Sequence, residues 1–226
     1  MQPKTYPTQQ VLELACAAQR VNGSYVKDIE PVYADDGIFM YNKQSNKILM
    51  MLTLDDKMVI PNTKALKIEP EDIARAEEIQ KYYKRLMFAA IENENEFLTT
   101  VNSILNSDTV RENQLGYVAC LPSVQLRDYV HNEVKKAARR VDEGFLGNEG
   151  DTLKDLDCEI LEVIKSKNFE GWNICAIINN KMASWMSQKE LKRGPCVVVK
   201  AKVKAQGKHW KHQTDETRLN YVKAAQ

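Results

Sequence analysis

Three glycines within seven residues, Gly144, Gly147 and Gly150, divide the chain, and the stretch beyond them admits few folds. From there to the C-terminus the texture is that of short strands. Cys158–Ile164, Trp172–Ile178, Met182–Ser187, Cys196–Lys204 and Thr217–Val222 are five strand candidates separated by polar turns. Between the third and fourth, Gln188 to Pro195 has room for one helical turn. Five short strands in about 75 residues, with the helical turn between strands three and four, match the layout of an OB-type barrel. Periodicity leaves the strand order open, so other small five-stranded barrels fit as well.

The first part of the chain reads differently. Thr8 to Arg20 is helical, with Val11, Leu12, Ala15 and Ala18 on one stripe and Gly23 as a stop. Ile38–Tyr41 and Ile48–Leu54 are expected to pair as a hairpin across Asn42–Asn46, with Met58–Ile60 as a third strand. Glu69-Pro70-Glu71-Asp72 then opens a long helix, its acids at the positive end of the helix dipole. Ile73, Ala76, Ile79, Tyr83, Leu86, Met87, Ala90 and Ile91 recur along it at helical spacing. Glu92–Glu96 is a solvated connection to a shorter helix through Phe97, Val101, Ile104 and Leu105. Leu115–Leu121 is a short strand candidate ended by Pro122, and Ser123 to Asp142 is helical, with Lys135–Arg140 on its outer face. The expected class is α+β: a mixed α/β N-terminal part with a long helix over residues 1–143, a Gly-rich linker at 144–151, and a basic OB-like barrel at 152–226.

Composition matters for the partner. The 226 residues carry 32 Lys+Arg against 31 Asp+Glu, a net charge of +1. That total hides an asymmetry. Residues 165–226 hold 13 basic and 4 acidic side chains, a net of +9, which leaves −8 on the first 164. A basic small barrel attracts polyanions, and an acidic remainder repels them. In Cys196–Lys204, alternation predicts Val197, Val199, Ala201 and Val203 on one face and Lys200, Lys202 and Lys204 on the other, about 7 Å per step. The loops after strand one and before strand five are the usual OB oligonucleotide clamps. Here they contain Lys165, Lys167 and Phe169, and Lys208, His209, Trp210 and Lys211. Cations with aromatics suit single strands, where lysines track phosphates and rings stack on bases. Trp185 is a further candidate, with Met182 and Met186 competing for the inner face, whereas Trp172 falls in phase with Ile174, Ala176 and Ile178 as core. A lysine stripe is also what a solvated sheet face or a protected edge looks like.

Enzymatic signatures are not found: no glycine-rich phosphate loop, GxSxG, HExxH or paired-carboxylate metal motif is present. Asp35-Asp36 and Asp55-Asp56 read as turn residues, and Cys120 and His131 stand in no context that activates a thiol. His209 and His212 lack further ligands at zinc spacing. Five dispersed cysteines without a CxxC pair suggest free thiols. With no signal-like N-terminus and no apolar run near the roughly 20 residues of a membrane helix, a cytoplasmic location, no membrane and no cofactor are expected.

Several stretches resemble accessory proteins of tailed bacteriophages. Thr217-Arg218-Leu219-Asn220-Tyr221-Val222-Lys223, after Val203-Lys204, is similar to their C-terminal strands. Gly116–Ser123 with Arg127-Asp128, Glu77–Leu86 with its Tyr82-Tyr83 pair, and Leu14–Gly23 are similar to other parts of them. Ala201 replaces their usual glycine, and the loop before the last strand is longer and more basic here. The resemblance implies a phage origin, a host-cytoplasm setting and a part in DNA metabolism, and carries over no catalytic residue. The expected function is non-enzymatic, sequence-tolerant binding of single-stranded nucleic acid beside phage replication or host proteins. The alternatives are a module that binds or inhibits a host protein, and a virion component.

Overall fold

The structure is a computed structural model that describes residues 4–92, 95–166, 169–209 and 211–226, with the backbone alone for 87–92. The Glu92–Glu96 connection therefore lies in part outside the described residues, as do Lys167 and Trp210. The chain forms two compact units, Met1–Arg127 and Asp128–Gln226.

In the first unit, strand β1 (Thr5–Pro7) leads into helix α1 (Thr8–Asn22). Gly23 ends α1 in the left-handed region (φ 72°), where a side chain is disfavoured, and its N–H caps the Arg20 carbonyl. A hairpin, β2 (Glu30–Tyr33) and β3 (Phe39–Lys43), precedes helices α2 (Asn46–Leu54), α3 (Pro70–Glu92) and α4 (Glu96–Leu105). Strand β4 (Thr109–Arg111) pairs with β1, and helix α5 (Leu115–Ala138) comes next. Val11, Leu12, Ala15 and Ala18 of α1 share a core with Ala76, Ile79 and Tyr83 of α3 and with Val101, Ile104 and Leu105 of α4. Ile73, expected on that stripe, is exposed.

Three local expectations change. Ile48–Leu54 is helix, not strand: Ser45 Oγ accepts the Ile48 N–H as an N-cap, and an unbroken apolar run suits a buried helix as well as a strand. Its first residue, Asn46, is fully buried and accepts from Asn22 Nδ2 (2.7 Å) and Val26 N (3.0 Å), which ties it to the end of α1. The partner of Phe39–Lys43 is instead Glu30–Tyr33, and Met58–Ile60 forms no strand. Leu115–Leu121 begins α5, because Leu115, Val118 and Leu121 recur at helical spacing and are all buried. Pro122 sits inside that helix at the loss of one backbone hydrogen bond.

Asp72, 3 % exposed, links α1 to α3. It accepts from Arg20 Nε (3.1 Å) and Nη2 (2.7 Å) and from the Glu69 N–H (2.9 Å). Arg20→Ala leaves this carboxylate buried without its cation. The expected cost is about 2–3 kcal/mol, below the roughly 3–5 kcal/mol of a fully buried pair, because the guanidinium is partly solvated. Thermal and urea unfolding read it; wild-type stability in this variant contradicts the account.

The second unit contains the C-terminal turns of α5 and five strands: β5 (Thr152–Lys165), β6 (Trp172–Ile178), β7 (Lys181–Ser187), β8 (Gly194–Lys208) and β9 (Asp215–Ala225). They close into a barrel in the order β5-β6-β7-β9-β8, antiparallel throughout except for the parallel β7–β9 pair. The fold is thus α+β with a small OB-like barrel. No helical turn forms between β7 and β8, where the chain only bends before Gly194 starts β8. The glycine-punctuated segment belongs to the barrel unit rather than hanging free. Gly144 N donates to Asp215 Oδ2, Leu146 N to Thr217 Oγ1 and Gly150 N to the Val203 carbonyl, while Leu146 enters the barrel core.

Ile160, Ile174, Ala176, Ile178, Trp185, Val198, Val203 and Leu219 form that core, and Trp172 packs against it half-buried. Val197 and Val199, expected inside with Ala201 and Val203, are exposed. A register shift between Val198 and Lys200 is the cause: two consecutive residues point outward there, so the inward phase runs Cys196, Val198, then Ala201, Val203. Cys158 and Cys196 lie directly opposite each other on β5 and β8 as free thiols, with burial pushing the Cys158 thiol up to about 12. A second, smaller core sits on the outer face of the barrel, where Val134 of α5 packs against Cys175 and Met182.

Division at residue 127 also redistributes the charge. The second unit holds 18 basic and 14 acidic side chains, a net of +4, and the first 14 and 17, a net of −3. The +9 expected for the barrel arises because a cut at 165 excludes residues 128–164, whose 10 acidic and 5 basic side chains include Asp155, Asp157, Glu159 and Glu162 of β5.

Candidate functional site

The outer face of β6 and β7 is where an OB-like barrel offers its binding surface. Here α5 covers part of it through Val134, and the uncovered remainder is a groove of ≈ 570 Å³. Asn173 and Cys175 of β6, Ser184 and Met186 of β7, and Arg218 and Tyr221 of β9 line it. His131 of α5 and the β8–β9 loop, with His209, Lys211 and His212, form its walls, and Lys204 stands at its β8 side.

All three histidines of the chain meet in this groove. The rings of His209 and His212 stack at 4.9 Å and 16°, those of His131 and His212 at 5.5 Å and 28°. His209 Nδ1 accepts from the backbone N–H groups of Lys211 (3.3 Å) and His212 (3.2 Å). Its ring proton is therefore on Nε2, 3.9 Å from Oε1 of the buried Glu216. Glu216 Oε2 lies 3.5 Å from Arg218 Nε, and Lys211 Nζ is 2.9 Å from His131 Nδ1. Stacked ring on ring, the imidazoles do not converge on a point, and among the described residues no group of three or more His, Cys, Asp or Glu is arranged to hold a metal ion. Burial, then the neighbouring His209, His131, Lys211 and Lys135, lowers the His212 pKa from its ordinary 6.5. Burial and the Glu216 and Glu162 carboxylates push the Cys175 thiol up to about 12, which makes it inert at neutral pH.

Tyr221 has a conformation of its own. A non-glycine residue at φ 51°, it lies where β9 gains an extra residue against β8, and its side chain is 78 % exposed at the groove. Such a bulge re-aims a side chain, here an aromatic ring into solvent beside the cations.

Of the residues singled out in the sequence, the groove brings together Lys204, His209, Lys211 and Trp185. Trp185 is only 6 % exposed and is part of the barrel core, so it supports the floor and offers no free face. Phe169 is 68 % exposed on the β5–β6 loop, where its N–H donates to Ser166 Oγ, and Lys165 is exposed beside it, but neither lines the groove. Lys208 is tied to Asp215 at 2.6 Å. Lys200 and Lys202 point outward on β8 and do not line the groove. Sequence reasoning missed Arg218, Tyr221, Met186 and the contribution of His131. Among the described residues no helix is long and apolar enough to cross a membrane. Compared with protein-family models, with curated proteins and with solved structures, the chain finds no match in any of the three.

Proposed function

We propose that the barrel groove binds single-stranded nucleic acid, DNA in the setting the phage-like stretches imply, with little sequence preference and without catalysing a reaction. One observation carries the reading: Lys204, Lys211, Arg218 and three histidines surround a groove on the β6–β7 face, with the ring of Tyr221 exposed beside them. Phosphates track the cations, and a base stacks on the ring. Glu162 and Glu216 are the opposing charges, and Glu216 is already paired with Arg218 at 3.5 Å.

Titration of the full chain with fluorescently labelled oligo(dT) tests this. Binding is expected to weaken with salt at a log–log slope of about −0.7 per phosphate neutralised. No binding at low salt ends the reading.

The His212 shift gives the reading a pH signature with two opposite signs. In the free protein its depressed pKa means the unfolded chain takes up the proton first. Stability is then full above the unfolded value of 6.5 and declines as pH falls below it. A phosphate beside the ring restores its proton, so affinity for oligo(dT) should rise over that interval. Thermal unfolding and binding measured against pH check both, and His212→Gln should flatten the two curves; unchanged curves contradict the assignment.

A protein-interaction role is the second reading, and one feature favours it. The β2–β3 hairpin exposes Tyr33, Ile38, Phe39, Met40 and Tyr41, an apolar set on a two-stranded sheet. Partners pulled from host lysate that survive nuclease treatment would support it.

A further inference from the structure

Lys200 and Lys202, outside the groove, have neighbours that alternation along one strand does not reveal. The register sets Lys200 of β8 directly opposite Lys154 of β5 on one side and Lys223 of β9 on the other. Directly opposed residues share a sheet face, and all three lysines are exposed. Lys202, two residues on, adds a fourth ammonium to the same face, opposite Thr152 and Asn220. No ion pair neutralises any of the four among the described residues.

Like charges placed directly opposite one another cost stability. Lysines on a strand are commonly explained as protection of a sheet edge, but β8 is paired on both sides in a closed barrel and has no edge to protect. The row is also continuous with the groove. Lys200, Lys202 and Lys204 alternate with the buried Ala201 and Val203, about 7 Å per step, and Lys204 lines the groove.

We propose that this lysine ladder is a second phosphate-binding track. A single strand held in the groove leaves it at Lys204, crosses the outer face of β8 over Lys202, and ends with its phosphates between Lys154, Lys200 and Lys223. The ligand class is a single-stranded polyanion longer than the groove, and the inference rests on the groove reading above. The ladder sets how much strand the protein covers, whereas the groove decides that a single strand is bound at all.

The experiment compares labelled oligo(dT) of about four and about twelve nucleotides, a span set by the usual range of OB site sizes. It uses the full wild-type chain, the variant Lys154→Gln/Lys200→Gln/Lys223→Gln, and Lys200→Gln alone in case the triple change disturbs folding. Wild type should bind the longer oligomer more tightly and with a steeper salt slope. The triple variant should match wild type on the short oligomer, lose most of that gain, and show a slope shallower by about 0.7 for each phosphate it no longer neutralises. Its thermal stability should be no lower, since repulsion has been removed. Equal affinities of wild type and ladder variants on the long oligomer overturn the inference and leave the groove reading intact. Failure of wild type to bind either length overturns both. Long-oligomer binding that survives loss of Lys204 and Lys211 but not loss of the ladder overturns the groove reading and, with it, the ladder's place as a second track fed from the groove.

Discussion

Lys204→Gln combined with Lys211→Gln is expected to weaken binding of oligo(dT) about 60-fold at about 50 mM salt, with little change in thermal stability. The magnitude comes from counterion release: with a slope of about −0.7 per phosphate, one ammonium–phosphate pair is worth about 8-fold at that salt, and two pairs multiply. Both side chains line the groove from different elements, β8 and the β8–β9 loop, so their loss removes cations from two walls. Lys208→Gln is the matched control. Its ammonium is held 2.6 Å from Asp215 and lines no part of the groove, so a change there should be small. Equal effects of Lys208 and Lys204 substitutions would mean that binding depends on overall charge rather than the groove.

Tyr221→Ala should have an effect of similar size with a different signature. Stacking on an aromatic ring contributes roughly 1–3 kcal/mol per base, which corresponds to about 5- to 150-fold in affinity. Because the lost interaction is with a base rather than a phosphate, the salt slope should stay at its wild-type value. The residue is 78 % exposed, so stability should hold; alanine tolerates the left-handed backbone no worse than tyrosine does. An affinity matched to wild type would make the ring a passenger of the β9 bulge. A fall in thermal stability would instead show that the ring anchors the bulge.

The barrel was legible because five runs of apolar residues each fit a strand and the turns between them are polar. Its weak points are the bulges. One outward pair, Val199 and Lys200, shifts the phase of β8, and no alternation rule reveals a bulge before the partner strand is known. In the N-terminal unit, the run Ile48–Leu54 has no alternation to separate helix from strand, and the decision rests with the Ser45 cap and the buried Asn46. The groove was legible only in part. Lys204 and the β8–β9 loop are placed by the strand layout. His131 comes from a helix about 80 residues before that loop, and its place depends on Val134 packing against Cys175 and Met182, a tertiary event. Arg218 and Tyr221 lie inside a strand whose pattern reads as structural, and Tyr221 faces out only because β9 bulges there. The charge asymmetry is real in the sequence, but the fold assigns it by face and not by segment, since the acids of β5 and the lysines of β8 belong to one barrel.

The central claim, that the groove on the β6–β7 face is where a single strand lies, is tested most directly by photocrosslinking. Oligo(dT) carrying 5-iodouracil is irradiated with the full chain, and the adducts are mapped by mass spectrometry. The account expects adducts at Tyr221, Met186 and His212, lost in the Lys204→Gln/Lys211→Gln variant. Adducts confined to the Met1–Arg127 unit, or none on the barrel under conditions of saturated binding, would contradict it.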